Sequence, residues 1–129
     1  MRKLFGALLL LSFFSCKKDN QDDLSATGLV GNWRAIQWQN DIGNGSTPFT
    51  YIPAQYNYYM NFNGSNNFES NYLQIANRFD KFNIVDSVKA VLYKQNANDS
   101  ANIWYSFENQ KLIIGFQCIE ACRLKLVRE

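Results

Sequence analysis

The chain has no histidine. Serine–histidine–acid and cysteine–histidine catalysis are therefore excluded, and so are histidine-ligated metal sites. No G-x-S-x-G turn or P-loop is present. The acids Glu69, Asp80, Asp86, Glu108 and Glu120 are well separated, so no two of them stand out as a glycosidase pair. Arg34, Arg78, Lys81, Lys89, Lys94 and Lys111 are scattered among acids and aromatics, which removes the electrostatic footprint of nucleic-acid binding. No apolar run reaches the roughly 18–20 residues that span a bilayer. Proline is scarce: the only two, Pro48 and Pro53, share one segment. No stretch carries a helical stripe of useful length, with Tyr72 to Phe79 the one short ambiguity. A non-enzymatic protein without cofactor or metal is expected.

What is present begins with an address. Arg2 and Lys3 form a positive start, Leu4 to Phe14 an apolar run of about a dozen residues, and Ser15 a small residue at the cleavage position. Phe13-Phe14-Ser15-Cys16 resembles a bacterial lipobox, with Phe13 where leucine is usual. The resemblance implies removal of residues 1–15 and acylation of Cys16, whose palmitate-type chains contribute about 0.8 kcal/mol per buried CH₂ to a stable membrane anchor. It implies an outer-membrane lipoprotein of the cell envelope, facing the periplasm or the surface. Arg2 and Lys3 leave with the signal, so eleven basic and eleven acidic side chains remain and the mature chain is formally neutral.

Residues 16–27 are polar, charged and without apolar period, which predicts a flexible tether. Asp19, Asp22 and Asp23 resemble the export tag of surface-exposed lipoproteins in Bacteroidota; a solvated linker is the alternative. The domain is then 28–129. Gly28 to Gln39 is a first strand, in which Trp33, Ile36 and Trp38 share a face if a bulge near Arg34-Ala35 shifts the alternation. Asn40 to Gln55 is a long loop, either mobile or a lid. Short alternating strands follow: Tyr56 to Phe62, Phe68 to Tyr72, Phe79 to Val85, Val88 to Gln95, Ile103 to Phe107, Leu112 to Phe116 and Leu124 to Arg128. Asn63-Gly64-Ser65-Asn66 supplies a turn, with Gly64 free to take positive φ. Eight strands joined by hairpins predict an all-β antiparallel up-and-down barrel, closed first strand against last so that no edge remains.

Cys118 and Cys122 are left as a pair in an oxidising compartment. Along a straight strand their Cα atoms would lie about 13 Å apart, against the 7 Å or less that a disulfide needs. A structural disulfide therefore requires a turn at Ile119-Glu120-Ala121. A redox pair or a metal site is the weaker alternative.

Gly31-Asn32-Trp33 near the start and Arg128 near the end carry a further signal. In a closed barrel Arg128 falls beside Trp33 and lies across its indole, with Gly31 leaving room. These residues resemble the lipocalin superfamily. Leu29 to Trp33, Cys118 to Cys122 and Leu126-Val127-Arg128 resemble the lipocalin-like lipoproteins of Bacteroidota. The chain is shorter than typical lipocalins and lacks their helix before the last strand. The resemblance implies a barrel that binds a small apolar or amphipathic ligand, in a monomer. Tyr56, Tyr58, Tyr72 and Tyr105 fall on inward faces, and Trp38, Tyr58, Met60, Tyr72 and Tyr105 are the expected ligand-facing residues. A barrel simply filled by these rings is the alternative. So is an interaction module for protein or glycan built on the 40–55 loop.

The anchor is directly testable. Cys16→Ser should move the protein from the membrane fraction to the soluble fraction. Retention of the variant on membranes through a high-salt wash would refute the lipobox.

Overall fold

The computed structural model describes residues 28–41, 47–73, 75–117 and 121–129. Cys16, the signal and the tether lie outside these residues, as does Cys118; Cys122 is described and buried. Nine strands form one antiparallel sheet: β1 (Gly31–Asp41), β2 (Thr50–Tyr51), β3 (Tyr59–Phe62), β4 (Phe68–Ser70), β5 (Lys81–Ile84), β6 (Lys89–Tyr93), β7 (Ser100–Glu108), β8 (Lys111–Phe116) and β9 (Ala121–Arg128). The hydrogen-bonded order is β4-β3-β1-β9-β8-β7-β6-β5, with β2 beside β1. Eight strands thus form a nearly closed up-and-down barrel.

Alternation builds the interior, as a strand buried on one face requires. β3 buries Met60 and Phe62, β4 Phe68 and Ser70, β6 Ala90 and Leu92, and β9 Leu124 and Leu126. Phe82, Ile103, Leu112 and Ile114 complete a filled core. The T-shaped pair Phe62–Phe82, with ring centroids 5.1 Å apart, packs β3 against β5 from within.

First and last strands do pair, over a long register from Trp33↔Arg128 to Asp41↔Ala121. The loose seam lies elsewhere, between β4 and β5. There the short strands share one bridge, Asn67↔Lys81, and the bonds Phe68 N–H to Asp80 O (2.9 Å) and Phe82 N–H to Asn66 O (3.0 Å). The Lys81 ammonium adds a bond to the Asn67 side chain across it.

Three local expectations are corrected. The bulge of β1 falls between Ala35 and Gln37, so Ile36 is the extra residue. Ala35 rather than Ile36 joins Trp33 in the core, and Trp38 packs against it beyond the bulge. The 40–55 segment contains a short strand: β2 pairs Gln37↔Tyr51 and Trp38↔Thr50, continuing the edge on which β1 carries β3. In the β3–β4 turn the left-handed residue is Asn66 (φ 61°), not Gly64. The Asn63 side chain accepts the N–H groups of Ser65 and Asn67, an Asx-type turn that holds the reversal without glycine.

Gly28 and Glu129, the two ends of the described domain, meet at one end of the barrel, with the β3–β4, β5–β6 and β7–β8 turns. Leu29 is fully buried there and plugs the end. Three successive carbonyls of the entering chain are captured by two side chains. Arg128 Nη2 donates to Gly28 O (2.8 Å), Trp33 Nε1 to Leu29 O (2.9 Å) and Arg128 Nη1 to Val30 O (3.0 Å). The guanidinium carbon lies 4.3 Å from the Trp33 ring centroid. Gly31, at φ 151°, leaves the space: a Cβ there would collide with Arg128 Nη1.

Trp33→Ala should cost about 3–5 kcal/mol as a core truncation, and Arg128→Ala about 1–3 kcal/mol. Because the two share partners, urea unfolding of the double variant should show less than the sum. Strict additivity would mean that the stacking contributes nothing.

Candidate functional site

At the opposite end β1, β4, β6 and β8 finish and β3, β7 and β9 begin. β1 brings Trp38 to this mouth, β3 is preceded by Tyr56 and Tyr58, β4 is followed by Tyr72, and β8 ends at Phe116. Their rings form a chain. Tyr56 stacks on Tyr58 with centroids 5.4 Å apart, and Trp38 tilts against both at 6.2 and 6.4 Å. Tyr72 meets Tyr58 edge-on at 5.2 Å and stacks on Phe116 at 5.9 Å.

Local sequence explains the placement. Pro53 opens a single 3₁₀ turn, Ala54–Tyr56, which ends in a left-handed Asn57 (φ 41°). That reversal breaks the strand alternation expected from Tyr56 onward, so Tyr56 is 45% exposed rather than inward. Asn71 then ties the two sides of the mouth: its Oδ1 accepts Tyr59 N–H (2.8 Å) and its Nδ2 donates to Asn57 O (3.0 Å). Arg78 and Asp99 pin the neighbouring connections by a two-point fork, both bonds 2.8 Å. These bonds, with the nearby charge, hold the Asp99 carboxyl below the usual range and the Arg78 guanidinium above its own.

The residues expected to face a ligand are divided by the fold. Trp38, Tyr58 and Tyr72 come together at the mouth. Met60 is 1% exposed, one layer down in the packed core. Tyr105 is at the far end, where its hydroxyl donates to Asp86 O (2.7 Å) in the β5–β6 turn. Gly31, Trp33 and Arg128 form the closing cluster described above. Phe116 joins the mouth without having been expected there, and Tyr56, expected on an inward face, joins it from an exposed position. Phe116 was legible as the last inward residue of its strand; Tyr56 was not, because its place depends on the 3₁₀ turn.

The mouth is amphipathic. Its rings are apolar, Leu73 on the rim is 77% exposed, and the hydroxyls of Tyr58 and Tyr72 have no hydrogen-bond partner among the described residues. Burial, and then the adjacent Tyr58, push the Tyr72 phenol above its ordinary pKa. The Tyr105 phenol is raised by burial, and then by Asp86. Among the described residues no group of three or more histidine, cysteine, aspartate or glutamate side chains forms a metal cluster.

Comparison with protein-family models, with curated proteins and with solved structures finds no match.

The raised phenols set a sign. The fold holds these protons more tightly than the unfolded chain does. Their contribution is therefore constant below the ordinary tyrosine value of about 10 and is lost as pH climbs through the folded value. Tyr72→Phe should flatten the alkaline fall of Tm between about pH 9 and 11. An unchanged slope would show that the phenol is not held protonated.

Proposed function

We propose that this chain is a lipid-anchored envelope protein whose lipocalin-like barrel binds a small amphipathic molecule at its mouth. The observation that carries the reading is the ring chain Tyr56–Trp38–Tyr58–Tyr72–Phe116, apolar in its walls and ending in unpartnered hydroxyls. The packed layer beneath it, Met60 with Leu92 and Leu124, supports a ligand seated in the mouth rather than along the barrel axis. Few, well-placed polar groups on an apolar wall fix the orientation of such a ligand.

The lipocalin-like assignment draws support from an eight-stranded up-and-down order, from closure of β1 on β9, and from the Gly31, Trp33 and Arg128 cluster. The anchor reading draws on residues 1–16 of the sequence, and is consistent with a mouth at the end remote from Gly28, where the tether joins. The missing histidine and the dispersed acids support binding rather than catalysis. The working form is a monomer in the outer membrane with a Cys118–Cys122 disulfide.

One observation favours a second reading. Tyr51, in the 40–55 segment, is 79% exposed on the outer side of β2. A large aromatic so presented suits contact with a protein or glycan.

Native mass spectrometry of the full-length protein, extracted from its own envelope, separates the two. A retained small molecule that is lost in the Trp38→Ala/Tyr72→Ala variant supports the mouth. A bare protein mass from the native envelope overturns it. A retained macromolecule that Tyr51→Ala releases, with the mouth variant unaffected, transfers the function to β2.

A further inference from the structure

The outer wall of β6 to β9 carries a side-chain row fixed by register: Lys89↔Trp104, Trp104↔Gly115 and Gly115↔Arg123. Outward positions of a soluble barrel wall are usually polar, yet Trp104 is 43% exposed there. Its cross-strand neighbour is a glycine that neither backbone nor packing demands. Gly115 has no positive φ, and a Cβ built on it would meet nothing closer than 3.9 Å, at Arg123 Cγ and Trp104 O. No atom of the Trp104 ring comes within 4 Å of that Cβ position. Glycine in a strand interior costs conformational entropy and leaves no side chain to pack. Here it leaves a slot of about 400 Å³, lined by Val88, Trp104, Ser106, Ile113 and Arg123.

From this row we infer a binding site for an acidic pyranose, a sugar ring carrying a carboxylate, seated over Gly115 between Trp104 and Arg123. β7 and β9 stand about 9.6 Å apart, two strand spacings. A flat ring between two walls needs only about 7–8 Å at ordinary carbon contact distances. A puckered ring with its hydroxyls fills the larger gap. Trp104 lines one side, and the negative quadrupole of an indole face attracts the C–H face of a pyranose. Arg123 lines the other, its Cγ 3.9 Å from the place of a Gly115 Cβ, and the fixed donors of a guanidinium suit a carboxylate and adjacent hydroxyls. Charge agrees with that choice. Lys89 and Arg123 bracket the row, and neither has an ion-pair partner among the described residues. The next row, Ser106, Ile113 and Lys125, again holds no acid. This site lies on the barrel wall and borders the mouth at Phe116, which lines both.

Isothermal titration of the full-length protein in detergent micelles tests the site, with trigalacturonate as probe, maltotriose as the neutral sugar and benzoate as the flat acid. Trigalacturonate should bind about tenfold or more tighter than maltotriose, the span of one charge-assisted contact. Gly115→Val should abolish this binding while Tm is kept or raised, since a β-branched residue suits the strand and only fills the slot. Arg123→Gln should remove the preference over maltotriose. No binding of trigalacturonate, binding of benzoate in its place, or trigalacturonate binding that survives Gly115→Val would each overturn the assignment.

Discussion

The structure depends on one closure. Three consecutive peptide carbonyls, from Gly28 to Val30, are received by two side chains that lie far apart in the sequence. The Leu29 carbonyl is buried, and leaving it without a partner would cost about 1–3 kcal/mol, while the two Arg128 bonds lie at the surface. Trp33 and Arg128 therefore act as a unit: the indole takes one carbonyl and supports the cation that takes the other two. That arrangement fixes Leu29 as the plug and β1 against β9. The remaining strands follow as hairpins of short reach, and imperfect closure at β4 and β5 is tolerated because the main join is made elsewhere.

A filled interior leaves the surface as the place for binding. With Met60, Phe62, Phe82, Leu92, Ile103 and Leu112 occupying the axis, the barrel is a rigid post on which the proposed sites are mounted. Packing at native density resists deformation, so rings mounted on strand ends keep their spacing. The mouth gains a stable set of aromatic walls without any cavity having to be held open. The same rigidity holds Trp104 and Arg123 at a separation set by strand geometry and not by loop conformation.

Much of the architecture was legible because period-two patterning is local. Phe68, Ser70 and Tyr72, or Leu124 and Leu126, announce their inward face within a few residues. The join of Trp33 to Arg128 was also legible, since it follows from parity once eight strands are counted. What could not be read are features set by single backbone choices. The bulge falls one residue later than its sequence suggested, which exchanges Ile36 for Ala35. Tyr56 leaves its face because Asn57 turns left-handed. Asn66 takes the conformation that Gly64 was expected to supply, as asparagine does again at 77, 96 and 109. Asparagine carries both left-handed tolerance and local hydrogen bonding, so composition alone does not say which turn residue reverses the chain. Tyr105 was misjudged in depth: parity gives the inward face but not the layer.

The order of synthesis gives the closing cluster a temporal meaning. Arg128 lies in the last strand, β9, and its partners Gly28 and Val30 precede it by about a hundred positions. A growing chain exposes its first strand long before the strand that must lie beside it exists. Contacts so distant in sequence form late and carry a large entropic cost of search. Native closure therefore waits until β9 has been made. A polypeptide with that property stays threadable while it is being made, and commits to its final shape only after its last turn has arrived.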